Sequence, residues 1–281
     1  MEILDSIERV NAWRGTGGGR LGLVPTMGAL HDGHLSLVRR ARPECDRLAA
    51  TIFVNPAQFG AHEDLAKYPR DLPGDLALFE REGVDMVFTP TEAVIYPPGF
   101  STWVTEEQVA RRWEGEARPG HFRGVTTVVL KLLNIVRPDR AYFGEKDYQQ
   151  LRVVERMVRD LNLPVTIVPC PTVREPDGLA MSSRNVRLAP ADRKAATVLW
   201  RALEAARAAA LGGERDGEAL RRAAAEVIAR EPRARVDYVA VVDPETLEPL
   251  ARLDARGAQC LLAARVGDIR LIDNLRLAPP A

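Results

Sequence analysis

The chain has 281 residues, 46% of them hydrophobic, with 39 basic and 39 acidic side chains and a formal net charge of zero. That length suits one large domain or two modest ones at ~150 residues each, and the apolar share supports packed cores and excludes wholesale disorder. A zero balance lacks the basic excess of a protein that coats nucleic acid or anionic membrane, so small-molecule substrates are expected.

In chain order, MEILDSIERV carries early acidic residues and no apolar h-region, so it does not read as a secretory signal. GTGGGR (15–20) lacks the Gly-Lys-Ser/Thr ending of a P-loop and precedes its strand, so it reads as a connector. Residues 21–25 (LGLVP) predict a buried strand and 34–42 a helix; 48–55 predict a second strand, 73–82 a helix and 84–88 a third strand. A helix over 125–136 precedes the strand RAYFG (140–144), and a helix over 148–161 precedes the strand PVTIVP (164–169). Strands apolar on both faces, separated by amphipathic helices, predict βαβ units: a Rossmann-like α/β fold with helices on both faces of a parallel sheet, over residues 1–176. Ligands of such sheets bind beyond the carboxyl ends of the strands.

After 177–187 the texture changes. Two Ala/Arg/Leu-rich helices over 190–211 and 216–230 lead to the strands VDYVAVVD, QCLLAARV and DIRLIDNLRL, predicting a smaller C-terminal α+β domain over 177–281, a lid or a dimer contact. No run reaches the ~20 apolar residues of a membrane span. Three scattered cysteines, Cys45, Cys170 and Cys260, form no disulfide framework or C-x-x-C, so a reducing, cytoplasmic setting is expected.

Five segments carry polar chemistry. PTMGALHDGH (25–34) sets His31 and His34 three residues apart at a helix start, where the positive helix end attracts phosphate, and Gly28 and Gly33 permit close backbone approach. Alone, an H-x-x-H is most often a glycine turn with solvated histidines, and no third ligand of suitable spacing makes it a zinc site. TIFVNPAQF (51–59) brings the neutral amides of Asn55 and Gln58 off a strand end. RPGHFRGV (118–125) reads as a Pro/Gly-bounded loop with His121 and two arginines. FGEKDYQQ (143–150) holds one of only four lysines, Lys146, in a charged turn, with Gln150 able to donate and accept. MSSRN (181–185) sets two hydroxyls beside Arg184, a donor set matched to phosphate oxygens.

The H-x-G-H pattern at the first strand–helix junction, paired with a late serine-rich basic loop, resembles the nucleotidyltransferase superfamily. Within it, PTMGALHDGHLSLV, FVNPAQF, DLAKYPR, RPGHFRGV, FGEKDYQQL and DGLAMSSRN resemble the pantothenate synthetase family across nearly all of residues 21–188. The resemblance implies ATP-dependent condensation of pantoate with β-alanine through a pantoyl-adenylate, releasing AMP and pyrophosphate. It implies ATP contacts at Met27, Gly28, Ala29, Leu30, His31, Asp32, Gly33 and His34, at Gly144, Glu145, Lys146 and Asp147, and at Val173, Met181, Ser182, Ser183 and Arg184. His34 is the implied proton donor; His34, Lys146 and Arg184 suit the neutralisation of phosphate charge, and His31 stands with them as a catalytic candidate. Pantoate falls to Gln58 and Gln150, with Asn55 beside them, and β-alanine near Gln58. Some family members carry consecutive aspartates after the YPR segment, whereas here Gly74 precedes Asp75, so Asp75 is a lone candidate contact for Mg²⁺, which ATP oxygens and water would chiefly hold. A homodimer is implied as well. Another adenylyl transferase of the same fold, or a nucleotide sensor that binds ATP without releasing pyrophosphate, remains open from the sequence alone.

Overall fold

In the computed structural model, which describes residues 1–60 and 63–278, the apolar runs of a first unit, Met1–Glu145 with Gln149–Pro171, build one six-stranded sheet. Its strands are β1 (Glu2–Leu4), β2 (Leu21–Thr26), β3 (Arg47–Ile52), β4 (Met86–Phe88), β5 (Arg140–Gly144) and β6 (Thr166–Cys170). Their spatial order is β1-β4-β3-β2-β5-β6, and every pairing is parallel. The helices are α1 (Ile7–Gly15), α2 (Asp32–Ala41), α3 (Leu72–Arg81), the short α4 (Glu92–Ile95) and α5 (Glu114–Ala117), α6 (His121–Val136) and α7 (Tyr148–Asp160).

Alternation along β2 shows why both faces are covered. Leu21 and Leu23 join a cluster with Val10 and Trp13 of α1, Leu132 and Val136 of α6, and Leu151 and Val154 of α7. Val24 points the other way, into a cluster with Leu37 and Val38 of α2 and Phe79 of α3. The doubly wound fold expected from the sequence is therefore present. The order in which the chain adds strands reverses between β2 and β5, the switch point where such folds hold ligands.

Three features depart from the sequence reading. β1 and α1 were not foreseen: β1 is only three residues long, and α1 is announced by its cap alone, Ser6 Oγ accepting from Arg9 N–H. The segment 118–125, expected as a loop, becomes helix from His121 onward, because Gly120 adopts φ +84° as its cap and His121, Phe122 and Val125 are all buried. The helix expected over 190–211 is two, α8 (Pro190–Ala195) and α9 (Val198–Leu211); at the break the Thr197 hydroxyl donates to Lys194 O at 2.8 Å, a side-chain competitor for the helix ladder.

α8 and α9 belong to a second unit, Lys146–Tyr148 with Thr172–Ala281. With α10 (Gly217–Ala229) they accompany an antiparallel sheet of β7 (Ala234–Val242), β8 (Ala258–Val266) and β9 (Ile269–Leu277), ordered β7-β8-β9. Gly267 at φ +55° opens the two-residue turn between β8 and β9, the shape that suits right-twisted strands. Leu199, Leu203, Leu220, Ile228, Cys260, Leu262 and Leu277 fill the core of this unit. No helix among the described residues is long and apolar enough to cross a membrane.

Candidate active site

The loops leaving the carboxyl ends of β2, β3 and β5 carry the polar motifs of the first unit. After β2, the Thr26 hydroxyl donates to Thr51 O at 2.7 Å and accepts from Gly28 N–H at 3.3 Å, tying the turn to β3. Gly28 and Ala29 both take left-handed backbone, with φ of +83° and +52°. The N–H groups of Ala29 and Leu30 then donate to Asp75 Oδ2 and Oδ1 at 2.8 and 2.7 Å. Asp75, in the first turn of α3, is buried, and that burial raises its pKa against the opposing pull of the two N–H bonds.

His31 caps α2. Its Nδ1 accepts from Gly33 N–H at 3.1 Å, while its own N–H donates to His34 Nδ1 at 3.4 Å, a reciprocal capping box built from two imidazoles. An Nδ1 that accepts carries no proton, so this network assigns the proton of each neutral ring to Nε2. The ring centroids lie 4.1 Å apart, so the two imidazoles sit side by side at the start of α2. Asp32 and Gly33 are the first residues of that helix, and Met27, before the turn, is half-buried.

After β3, Asn55 is 1% exposed and all of its hydrogen-bonding positions are used. Its Nδ2 donates to Gln58 Oε1 at 3.0 Å and Gly124 O at 3.1 Å, and its Oδ1 accepts from Ala57 N–H and from the Tyr96 hydroxyl at 2.8 Å. Burial pushes the Tyr96 phenol up to about 12, so it stays a donor. Gln58 in turn aims Nε2 at Met27 Sδ, 3.0 Å away, linking this turn to the histidine motif. α6 fits against the turn only because residue 124 is glycine: a Cβ there would lie 2.2 Å from Ala57 O.

Beneath the turn, His121 Nδ1 pairs with Gln58 O at 2.9 Å and its Nε2 with Arg118 Nη1 at 3.1 Å. Arg118 grips Glu63 with two bonds of 2.7 Å and donates to Gln58 O at 3.3 Å. Burial would raise the Glu63 carboxyl, but the Arg118 guanidinium outweighs it and holds the pKa low. After β5, Gly144 has open space where a Cβ would project. Glu145 follows it, and Gln150, in α7, is half-buried.

Lys146 and Asp147 group with the second unit, their side chains 3.7 Å apart. Asn274 Nδ2 donates to Lys146 O at 2.8 Å, and Gln259 Nε2 donates to Asn274 Oδ1 at 2.7 Å. Next to them the buried Asp273 takes a two-bond grip from Arg174, at 2.7 and 2.9 Å, and the guanidinium stacks on Trp200. Val173 O accepts from Met181 N–H, and Arg174 pairs with Ala180, so 173–181 forms a small hairpin leading into Ser182, Ser183 and Arg184. Ser182 Oγ accepts from Arg184 N–H at 3.3 Å, and Asn185 Nδ2 donates to Glu175 and to Ala180 O, fixing the bend.

The sequence reading overlooked Arg118 as a partner of Gln58 and missed Glu63, Tyr96, Asp273 and Asn274. Arg118 stood in a noted motif, but Glu63 and Tyr96 act through contacts distant in sequence and carry no local signal. Among the described residues no group of three or more His, Cys, Asp or Glu could hold a metal ion.

Comparison with known proteins identifies the family and the fold. A profile of the family described as pantoate-beta-alanine ligase matches residues 2–276. The pantothenate synthetase of Roseiflexus castenholzii is 58% identical over 274 residues, 98% of each chain. That of Rubrobacter xylanophilus is 57% identical over 272 residues, 94% of this chain and 93% of its own. Among solved structures, a pantothenate synthetase from Thermus thermophilus superposes with a TM-score of 0.95 at 51% identity, covering 99% of this chain and 100% of its own. A pantoate-beta-alanine ligase from Francisella tularensis, complexed with β,γ-ATP and β-alanine, gives 0.82 at 35% identity over 98% and 97%.

Proposed function

The chain belongs to the pantoate-beta-alanine ligase family, and from that membership we propose that it activates pantoate with ATP as a pantoyl-adenylate and then joins it to β-alanine. A free carboxylate resists displacement by an amine because oxide is a poor leaving group. Attack of the pantoate carboxylate on the α-phosphorus expels pyrophosphate and leaves a mixed anhydride, from which the β-alanine amine displaces AMP. Neither step needs a covalent enzyme intermediate, so alignment and neutralisation of phosphate charge carry the catalysis.

The observation that carries this reading is the paired imidazole cap of α2 beside the β2/β5 switch point. The capping bonds run through Nδ1 of each ring, so a neutral ring carries its proton on Nε2, a donor of the kind phosphate oxygens accept from. In the first unit ATP falls to Met27, Gly28, Ala29, Leu30, His31, Asp32, Gly33, His34, Gly144 and Glu145, with His34 as proton donor. In the second, Lys146, Asp147, Val173, Met181, Ser182, Ser183 and Arg184 serve the nucleotide, Lys146 and Arg184 as cations. Gln58 and Gln150 bind pantoate, with β-alanine also near Gln58, while the fully engaged amide of Asn55 holds Gln58 in place. Magnesium arrives as its ATP complex, held by phosphate oxygens and water; the engagement of both Asp75 oxygens by backbone N–H groups supports that division. A cytoplasmic homodimer completes the proposal, and the three buried, unpaired cysteines fit a reducing compartment.

His34→Ala should slow pyrophosphate release from ATP and pantoate by ~10²-fold or more, as loss of a transition-state donor does. Release at the ordinary rate would refute the assignment. AMP release on adding β-alanine, and not on adding other amino acids, tests the second half-reaction.

A further inference from the structure

The turn that begins the ATP motif encloses an anion of the protein's own. Ala29 N–H and Leu30 N–H, two successive backbone donors, converge on the two oxygens of Asp75 at 2.8 and 2.7 Å. Successive backbone N–H groups in a turn conformation form a concavity that holds anions, phosphate among them, and here Gly28 and Ala29, at φ of +83° and +52°, shape the turn. Alanine rarely takes that backbone, so it persists only where its surroundings impose it. The fit is close on the other side too: a Cβ at Gly28 would come within 2.8 Å of Asp75 Oδ2. Asp75 is 3% exposed and is itself held at the start of α3, where Asp71 Oδ1 caps the helix by accepting from Gly74 N–H at 3.1 Å. His31 and His34 follow the turn directly, and their rings are oriented through backbone N–H groups of the same segment.

We propose that Asp75 is a positioning residue for nucleotide binding: its carboxylate fills the amide concavity at Ala29 and Leu30, locks the turn that delivers His31 and His34, and denies that concavity to phosphate. The triphosphate is thereby directed to the imidazole edges and the start of α2. This rests on the assignment of Met27 to His34 to ATP. It also gives Asp75 work other than holding a metal, since a magnesium ion drawing on the same carboxylate would compete with the two short N–H bonds that shape the turn.

Asp75→Asn preserves volume, keeps one acceptor oxygen and sets an NH₂ against the other backbone N–H. The expected result is a fall of about 10- to 100-fold in kcat/KM for ATP, through both a raised KM and a lowered kcat. KM for β-alanine in the second half-reaction, and the Mg²⁺ concentration giving half-maximal rate, should stay within about twofold of wild type. A variant whose kcat/KM for ATP is unchanged, whether or not its melting temperature falls, overturns the proposal. So does a half-saturating Mg²⁺ raised ~10-fold or more with the rate restored at saturating metal, the signature of a lost ligand. His34→Ala run in parallel separates the two layers: normal Asp75→Asn with impaired His34→Ala removes only the role of Asp75, whereas two normal variants remove the ATP assignment itself. Should Asp75→Asn fail to fold, hydrogen exchange on the wild type decides. The Ala29 and Leu30 amides should exchange slowly and equally with or without Mg²⁺ in the absence of nucleotide, and acceleration by Mg²⁺ would overturn the proposal.

Discussion

Substituting His121 by asparagine should flatten the acid side of the first unit's stability profile. His121 is 7% exposed, its Nδ1 pairs with Gln58 O, and its Nε2 faces the Arg118 guanidinium. The tautomer with its proton on Nδ1 satisfies both contacts, and a second proton would be set against a cation. Burial first, then Arg118, holds the pKa down from 6.5 to about 4. The unfolded chain takes up its proton near the ordinary value and the folded chain only near 4. Stability is therefore fully present above about 6.5, is lost as pH falls through the window, and levels off below about 4. At pH 5 the linkage amounts to about 2 kcal/mol, or roughly 4 to 8 °C in Tm for a protein of this size. Buried carboxylates such as Asp75 and Asp273 also titrate on the acid side, both with raised pKa, but they are common to wild type and variant. The assay is thermal unfolding of both proteins at pH 7.5 and pH 5, and the wild type should lose more Tm than His121→Asn by about that margin. Asparagine leaves a constant packing defect that cancels in this comparison. Equal losses would mean that the surroundings do not hold His121 neutral, and the reasoning would fail.

Two further outcomes follow from packing. Gly124→Ala puts a methyl 2.2 Å from Ala57 O and 2.7 Å from Gln58 N, so α6 must withdraw from the turn; about 1–3 kcal/mol of stability should go, and KM for pantoate should rise ~10-fold or more. Unchanged unfolding and unchanged KM would refute the close-approach argument. Arg174→Met leaves the Asp273 carboxylate buried without its two-bond partner; by calorimetry this should cost about 3–5 kcal/mol, and Arg174→Lys should recover little because an ammonium lacks the paired donors. A loss below about 1 kcal/mol would count against a structural role for the pair.

The doubly wound sheet was legible because LGLVP, LAATI and AYF are apolar on both faces, and only burial between two helix layers suits such strands. Strand β1 escaped because three residues carry no period, and its pairing with β4 is non-local. The start of α6 escaped because Pro119 and Gly120 look like a loop, whereas Gly120 in its left-handed form is the cap and the buried His121 and Phe122 already belong to the helix face. Around the site, the residue types at His31, His34, Gln58 and Lys146 announced polar chemistry, but their supports did not. Asp75 is a lone acid in the sequence and a partner of Ala29 and Leu30 only in three dimensions. Asn55 looked like one more amide for a ligand, and only its four protein contacts reveal an internal brace.

Lys146–Tyr148 groups with the C-terminal residues although the sequence on either side of it, through Glu145 and from Gln149, groups with the first unit. Its ties are specific: Asn274 Nδ2 on the Lys146 carbonyl and Pro244 O on the Tyr148 hydroxyl. A gene severed after codon 171 would strand this tripeptide away from both of its anchors. The enzyme is thus not divisible into halves by any single cut, and a chimaera that exchanges C-terminal segments between relatives must import a matching Lys-Asp-Tyr patch or inherit a misplaced lysine.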